Sequence, residues 1–525
     1  MILINNINLP LDTDFENLIP IAARQLKTNE NNIIFAKLYR KSVDARRKND
    51  VHFCCSVLVE AKNESKLLNN CKNAVDYTPK TYNWQKCSVV PKNRPIIVGF
   101  GPAGMFCALT LARAGVKPIV IERGSRVEER KKAVEEFFSG GKLNPQSNVQ
   151  FGEGGAGTFS DGKLTTGIKN PRCRTVIEVL QHKGADRKIL YEAKPHIGTD
   201  VLVNVVKNIR EEIISLGGEI YFDTLLSDIE IKDGKIVGIT AGDKNIRCDT
   251  LVLATGHSAR DTYKILLNKG TQMVQKPFAV GVRIEHLRED IDKALYGEFY
   301  NHPSLSAADY KLACHLPDGR GVYTFCMCPG GEVINASSDK GLIAVNGMSY
   351  SGRDAENSNS ALLVGVEPTD FGSDDILAGC YFQEKIEKAA FNALGGKVPV
   401  NTVGSFLYGE EFKIGKVKPS VKPDFGFSDF SEIFPGFVLE SLKKGIREFG
   451  KKIKGFDDAD AVLTAPETRS SAPVRIVRDE TSESTNIKGL FPCGEGAGYA
   501  GGIVSAAVDG MTVAEEIISR INKDV

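Results

Sequence analysis

The chain has 525 residues, 42% hydrophobic and 25% charged, the makeup of a large globular protein with room for about two to four domains. Lys+Arg 67 against Asp+Glu 66 leaves a formal charge of +1, too little field to gather nucleic acid or an anionic membrane. No apolar stretch approaches the ~18 residues of a membrane helix, Met1 to Asn6 lacks a basic leader, and 12 cysteines without CxxC or zinc spacing read as reduced thiols of a cytoplasmic protein.

Residues 1–90 read as a separate small unit. The spacing predicts a strand over 1–7, a helix over 14–26 with Phe15, Leu18, Ile19, Ala22 and Leu26 on one face, and a strand over 33–39. A basic loop follows (Arg40, Lys41, Arg46, Arg47, Lys48), then a strand over 51–59 and a short helix over 64–71. That βαββα order suits a small open sheet with helices on one face. The basic loop could serve RNA or a protein partner, although near-zero net charge and few loop aromatics argue against nucleic acid. Pro79, Pro91 and Pro95 among polar neighbours make 77–95 a linker.

Ile96-Ile97-Val98 is an apolar strand, and Gly99-Phe100-Gly101-Pro102-Ala103-Gly104 carries it into an Ala/Leu-rich helix that stops at Gly115. Such a turn is a pyrophosphate site. Gly99 allows the tight turn, Gly101 lets backbone approach the phosphates, and Gly104 lets helix pack on strand. A second apolar strand over 118–121 ends in Glu122, 18 residues past Gly104, where a carboxylate can accept hydrogen bonds from ribose hydroxyls. Strand, helix, second strand and terminal acid together point to an adenine dinucleotide. The charged helix expected over 125–138 (Glu128, Glu129, Arg130, Lys131, Lys132, Glu135, Glu136) reads as a solvated face.

A helix over 200–216 leads to a strand over 219–222, and strands over 227–231 and 235–240, joined by Asp233-Gly234, make a hairpin with a type I′ turn. Residues 248–256 read as an apolar strand ending in a small-residue turn. The stretch 276–456 mixes short strands, glycines and helices over 378–394 and 436–452, with no dinucleotide signature, which marks a substrate or cap domain. Nucleotide-fold character resumes with an apolar strand over 489–493, a glycine-rich turn and a final helix from Ile503.

Leu251-Val252-Leu253-Ala254-Thr255-Gly256 resembles the "ATG" strand of two-dinucleotide-binding-domain flavoproteins, and Phe491 to Ile503 resembles their terminal flavin motif. The glycine turn, the block from Phe151 to Leu164, Ala254 to Asp261, Phe325 to Gly331, Glu467 to Ile476 and Gly494 to Ile503 together resemble one bacterial family. It is the family of uncharacterised FAD-dependent dehydrogenases, within the glutathione-reductase-type superfamily. The resemblance runs from about residue 95 to the C-terminus and implies FAD and oxidoreductase chemistry, with no particular substrate. The implied class is α/β. A Rossmann-like FAD/NAD(P)-binding fold (91–275 and 457–525) would carry an inserted mixed α+β cap domain (276–456) and a small N-terminal α+β domain (1–90). The cofactor-binding residues it implies are Gly99, Gly101, Pro102, Ala103, Gly104, Glu122, Arg123, Gly155, Gly157, Thr158, Asp161, Lys163, Leu226, Thr255, Gly256, Gly494, Glu495, Gly501, Gly502 and Ile503. The last helix would point its N-terminus at the flavin pyrimidine, where free N–H groups stabilise negative charge.

The 154–163 loop, dense in glycine and small hydroxyls, is either a pyrophosphate wrap to which Lys163 adds charge, or an ordinary surface loop. Arg469, Glu467 and His257 are the catalytic candidates. Arg469 either fixes a substrate carboxylate or anionic flavin, or forms an interdomain ion pair with Glu467. His257 is an acid–base group near neutral pH or a hydrogen-bonded structural one. Cys326 and Cys328 share a strand face; they read as a redox pair or as buried hydrophobes, since neighbours two apart do not easily reach disulfide geometry. With no second GxGxxG, NAD(P)H would be a transient donor bound in the cap cleft. The expected reaction passes a hydride between a small-molecule substrate, or NAD(P)H, and flavin N5. Flavin-dependent hydroxylation, and action on RNA or protein through the N-terminal unit, are the alternatives.

Overall fold

A computed structural model describes residues 1–523. The N-terminal unit is a four-stranded antiparallel sheet in the order Ile33–Asp44, His52–Ala61, Ile2–Leu9, Ala74–Asp76. Its last strand is absent from the expected βαββα order. The first helix is only Ile19–Gln25, with Pro20 in its first turn. A proline there loses no hydrogen bond, whereas in a helix begun at residue 14 it would sit in the interior. The expected basic loop is mostly strand: Arg40 lies opposite Ser56 and Lys41 opposite Cys55. Lys41 also exchanges backbone hydrogen bonds with Tyr191 and Ala193 (2.7 and 2.8 Å), docking this unit on the next domain.

Residues 77–95 form neither helix nor strand, yet they are pinned. The Cys87 N–H donates to Ala114 O (3.0 Å), and the Ser88 N–H donates to Asn522 Oδ1 (2.9 Å).

The central sheet is parallel throughout, in the order Leu490–Pro492, Leu251–Leu253, Ile96–Val98, Ile119–Ile121, Glu219–Tyr221. The three middle strands and Leu490–Pro492 are almost wholly buried, so they read as apolar runs without alternation. The expected strand over 248–256 shrinks to Leu251–Leu253, and its remainder is irregular. Asp233 and Gly234 both take positive φ (51° and 70°), the type I′ hairpin geometry. A third strand, Lys244–Arg247, extends that hairpin to a meander.

The cap is a seven-stranded sheet ordered Ala313–His315, Gly321–Cys328, Asn357–Val366, Phe278–Leu287, Val462–Glu467, Val398–Thr402, Phe425–Phe427. Helices Ala378–Leu394 and Gly436–Gly450 cover it, and Val280, Val282, Ile284, Leu362, Leu442 and Phe449 fill the space between. Because Val462–Glu467 is hydrogen-bonded into this sheet, the expected division at 456 falls before one of its strands.

Candidate active site

The strand order runs outward from Ile96–Val98 in both directions. The turns leaving Ile96–Val98 and Leu251–Leu253 therefore diverge and open a crevice at the strands' C-terminal ends. A cavity of about 930 Å³ fills that crevice and continues under the cap sheet. Gly99 stands at φ +98°, and a Cβ on it would lie 2.3 Å from Ala254 O; a Cβ on Gly104 would lie 1.9 Å from Gly99 O. Gly101 caps the helix Pro102–Ala114 without a side chain, so the first-turn N–H groups stay open to the cavity. The helix Ile503–Lys523 begins on the same cavity, which Gly501, Gly502 and Ile503 line. A Cβ on Gly510 would lie 2.1 Å from Ala103 O, so the two helices cross in close contact. Both N-termini thus meet one cavity, where their dipoles favour anionic groups.

Glu122 is 5% exposed and borders this space. Its carboxylate accepts from the backbone N–H groups of Phe100 (2.7 Å), Gly124 (2.9 Å) and Gly152 (3.0 Å). Beyond any ribose contact, it ties the glycine turn to the 147–155 loop. Arg130 holds that loop from the other side. Fully buried, its guanidinium donates to the carbonyls of Asn148, Val149, Gly152, Glu153 and Gly155 at 2.7–3.3 Å. Burial draws its pKa down to about 10. The expected solvated face of the helix Val127–Phe138 is therefore corrected at this residue, while Glu129, Lys131, Lys132, Glu135 and Glu136 are exposed.

Of the other expected cofactor residues, Pro102, Ala103, Arg123, Gly155, Gly157, Lys163, Leu226, Thr255, Gly256 and Glu495 line the cavity with Gly99 and Gly101. Arg123 also pairs with Asp261 and stacks on the Phe151 ring at 4.2 Å. Gly104, Thr158, Asp161 and Gly494 do not border the cavity and act behind its wall. Asp161 is fully buried and bound to Arg353 and Ser349 of the cap, and the Thr158 hydroxyl is buried without a partner. The Gly494 N–H donates to Asp509 Oδ2 (2.7 Å), and a Cβ on Gly494 would lie 2.7 Å from Ala103 Cβ.

All three catalytic candidates line the cavity. Glu467 pairs with Arg283 and not with Arg469, which corrects the expected ion pair. Burial pushes the Glu467 carboxyl up to about 7 against the pull of Arg283. Arg469 is bidentate to Glu387 (Nε–Oε1 3.0 Å, Nη2–Oε2 2.9 Å) and also donates to Ser338, so its fork is occupied within the protein. Arg260 grips the same carboxylate at 2.8 and 2.9 Å. Although burial raises the Glu387 pKa, Arg469 and Arg260 outweigh it and hold the group at about 2. The His257 Nε2–H donates to Arg469 O (2.7 Å), since a carbonyl can only accept.

Arg283 and Glu387 were not among the expected site residues. Arg283 left a signal: it is the lone cation in the apolar run Phe278-Ala279-Val280-Gly281-Val282-Arg283-Ile284, and such a charge is buried only when paired. Glu387 left none, being one of two acids on an amphipathic helix.

Residues 93–276 match the pyridine nucleotide-disulphide oxidoreductase model, and 277–470 match that of the FAD-dependent protein, C-terminal domain-like. Residues 1–60 match a domain of unknown function. An uncharacterized protein of Clostridium beijerinckii is 50% identical over 526 residues, covering 99% of each chain. This chain belongs to the family of uncharacterised FAD-dependent oxidoreductases. Among solved structures, glycine oxidase from Bacillus cereus is 12% identical, covering 82% of this chain and 95% of that one, with a TM-score of 0.32. A geranylgeranyl bacteriochlorophyll reductase-like protein from Thermoplasma acidophilum is 12% identical, covering 82% and 79%, with a TM-score of 0.34.

The residues present fit FAD. Gly99 and Gly104 leave no room for a Cβ, Gly155 stands at φ +62° where a Cβ would lie 3.0 Å from Gly101 Cα, and two helix N-termini face the space they frame. The cavity is also of a size that holds a large cofactor with room for a reactant. Gly101, Ala103 and Gly155 would hold the pyrophosphate, Glu122 the ribose, and Gly502–Ile503 the pyrimidine edge. FAD supplies two-electron redox chemistry there.

Proposed function

We propose that the protein passes a hydride between a small organic molecule, or NAD(P)H, and flavin N5, with the reactant held in the cap-side half of the cavity. The observation that carries this reading is the continuity of one cavity from the Gly99–Ala103 turn to a polar cap wall containing Tyr310, Asn346 and Glu467, with Lys163 facing that wall. In that wall Glu467 holds a proton near neutral pH, because burial opposes its ionisation. His257 borders the same space, its ring fixed by the Arg469 carbonyl. Lys163 supplies a fixed positive charge opposite the cap strand, suited to an anionic or carbonyl-bearing reactant. Among the described residues there is one parallel sheet, so a nicotinamide donor has to share this cavity.

Anaerobic addition of NADH and NADPH, separately, to FAD-loaded protein tests the reading. Loss of the visible flavin absorbance with either names the donor, and loss only with a substrate pool names direct substrate oxidation. No bleaching with any reductant of these classes, or oxygen uptake with a hydroxylated product, overturns it.

A further inference from the structure

The mouth of the cavity is made by two segments with no regular structure of their own. Residues 191–196, on the nucleotide-binding side, and 302–312, on the cap side, contain neither helix nor strand. Lys194 and Pro195 of the first lip border the cavity, as do Asp309, Tyr310 and Lys311 of the second. Across the gap, Lys194 Nζ meets Asp309 Oδ1 at 2.7 Å, and both side chains reach solvent. The pair therefore stands where the cavity opens.

A segment without a ladder of its own is held by whatever it packs on, and both lips are held by the N-terminal unit. Ile33–Asp44 is the edge strand of that unit's sheet, so its outward N–H and C=O groups need a partner. The first lip supplies one. The Lys41 N–H donates to Tyr191 O (2.7 Å), and the Ala193 N–H donates to Lys41 O (2.8 Å), a parallel bridge at Glu192. Lys41 Nζ lies 5.1–5.9 Å over the rings of Phe15, Phe53 and Tyr191 and 3.8 Å from Glu192, so its side chain grips the same lip. On its inner side the lip meets the cavity wall: the Leu164 N–H, next to Lys163, donates to Pro195 O (2.9 Å). The second lip is anchored by packing. Phe299 and Leu305 lie against the N-terminal core of Ile4, Phe53 and Val57, and His302 Nε2 stands 3.2 Å from Asp12 Oδ1. Just before it Gly297 turns at φ +61°, where a Cβ would lie 3.0 Å from Lys48 Cβ.

We propose that the N-terminal unit is the frame of the reactant entrance: it holds both lips of the cavity, and the Lys194–Asp309 pair is the latch between them. This rests on the reading that the reactant sits in the cap-side half. The two kinds of contact differ in strength. Apolar packing and backbone hydrogen bonds keep the lips on their frame, whereas a solvent-exposed ion pair is weak and is screened by salt. The latch therefore opens while the frame stays, and what passes is limited by the gap that Lys194 and Asp309 close.

Cys326 borders the cavity and reports on access to it. Trypsin cleavage after Arg320 and Lys340 leaves it on a peptide whose other cysteine, Cys328, is buried in the folded chain. FAD-loaded protein is labelled in the native state with N-ethylmaleimide and, separately, with the bulkier N-(1-pyrenyl)maleimide, and the mass of that peptide is followed in time. Both reagents are uncharged, and the ratio of their rates reads the width of the entrance, because the reactivity of the thiol cancels. At low salt, Lys194→Ala should raise the pyrenyl-to-ethyl ratio about two- to fivefold, the scale of an exposed pair. Added salt should move the wild type toward that ratio and leave Lys194→Ala unchanged. Asp309→Lys should open the mouth by repulsion, and adding Lys194→Asp should restore the wild-type ratio, which a packing defect would not do. For the frame, Lys41→Pro removes the N–H given to Tyr191 at an edge position, where proline is tolerated. Faster hydrogen exchange over 191–197 and a raised ratio are expected, and Lys41→Met, which keeps the backbone bonds, should shift both in the same direction by less. Equal ratios in wild type and Lys194→Ala, or no rise in either Lys41 variant, would overturn the proposal. So would a Cys326 that neither maleimide reaches in any variant. No hydride moves in these steps, so a failed latch shows in the labelling ratio and a failed hydride reading in the absence of bleaching.

Discussion

Glu122 shows how one carboxylate can serve fold and site together. Its two oxygens satisfy three backbone N–H groups from two loops, and a buried donor left without a partner costs about 1–3 kcal/mol. Glu122→Ala is therefore expected to lose about 3 kcal/mol or more of stability and most of its bound flavin. Urea unfolding and the flavin-to-protein absorbance ratio after desalting measure both losses; a variant that keeps full flavin would refute the role. Glu467 gives a pH signature of definite sign. Burial raises its pKa from 4.5 to about 7, so between those values the folded chain keeps a proton that the unfolded chain releases. The stabilisation is complete below the unfolded value and is lost as pH rises through the folded one. Relative to Glu467→Gln, the wild-type urea midpoint should fall as pH rises from about 5 to about 7. A constant difference between the two would show that the carboxyl titrates normally.

The glycine turn was legible because its requirement is local. Gly99 needs positive φ and space against Ala254, and both follow from a strand turning straight into a helix. Gly99→Ala places a methyl 2.3 Å from a carbonyl oxygen that belongs to the neighbouring strand's turn, so loss of FAD with partial unfolding is expected. The Asp233-Gly234 hairpin was legible for the same reason. Arg130 was not. Its partners are five carbonyls 18 to 25 residues away along the chain, and a helix pattern cannot tell which of seven neighbouring charges will meet a loop. Hydrogen bonds from a charged donor contribute about 1.5–3 kcal/mol each, and lysine has three donors against arginine's five. Arg130→Lys should therefore destabilise by about 3 kcal/mol or more and loosen the 147–155 loop. Hydrogen exchange in that segment would report the loosening, and unchanged protection there would contradict it.

The union of the two halves was the least legible feature, because it rests on contacts between residues far apart in sequence. The return of nucleotide-fold character near Leu490 showed that the chain closes on itself, and the parallel pairing of Leu490–Pro492 with Leu251–Leu253 is that closure. Nothing in the sequence marked Glu387 as its clasp. This carboxylate sits on a cap helix with no exposed surface. It joins Arg260, 127 residues earlier on the nucleotide side, to Arg469, 82 residues later at the exit of the cap sheet. Thr468 Oγ1 donates to it as well, at 2.7 Å. Since the Arg469 carbonyl orients His257, the clasp reaches the cavity wall without touching the glycine turn. Removing one partner from a buried ion pair costs about 3–5 kcal/mol, because the remaining charges are left uncompensated. Glu387→Gln should therefore lower the unfolding free energy by that amount and slow anaerobic flavin reduction. Flavin content should change little, since the turn 99–104 and Glu122 are intact. Equal loss of flavin binding and reduction rate would instead mean that the cradle itself depends on the clasp, and that the two halves fold as one cooperative unit.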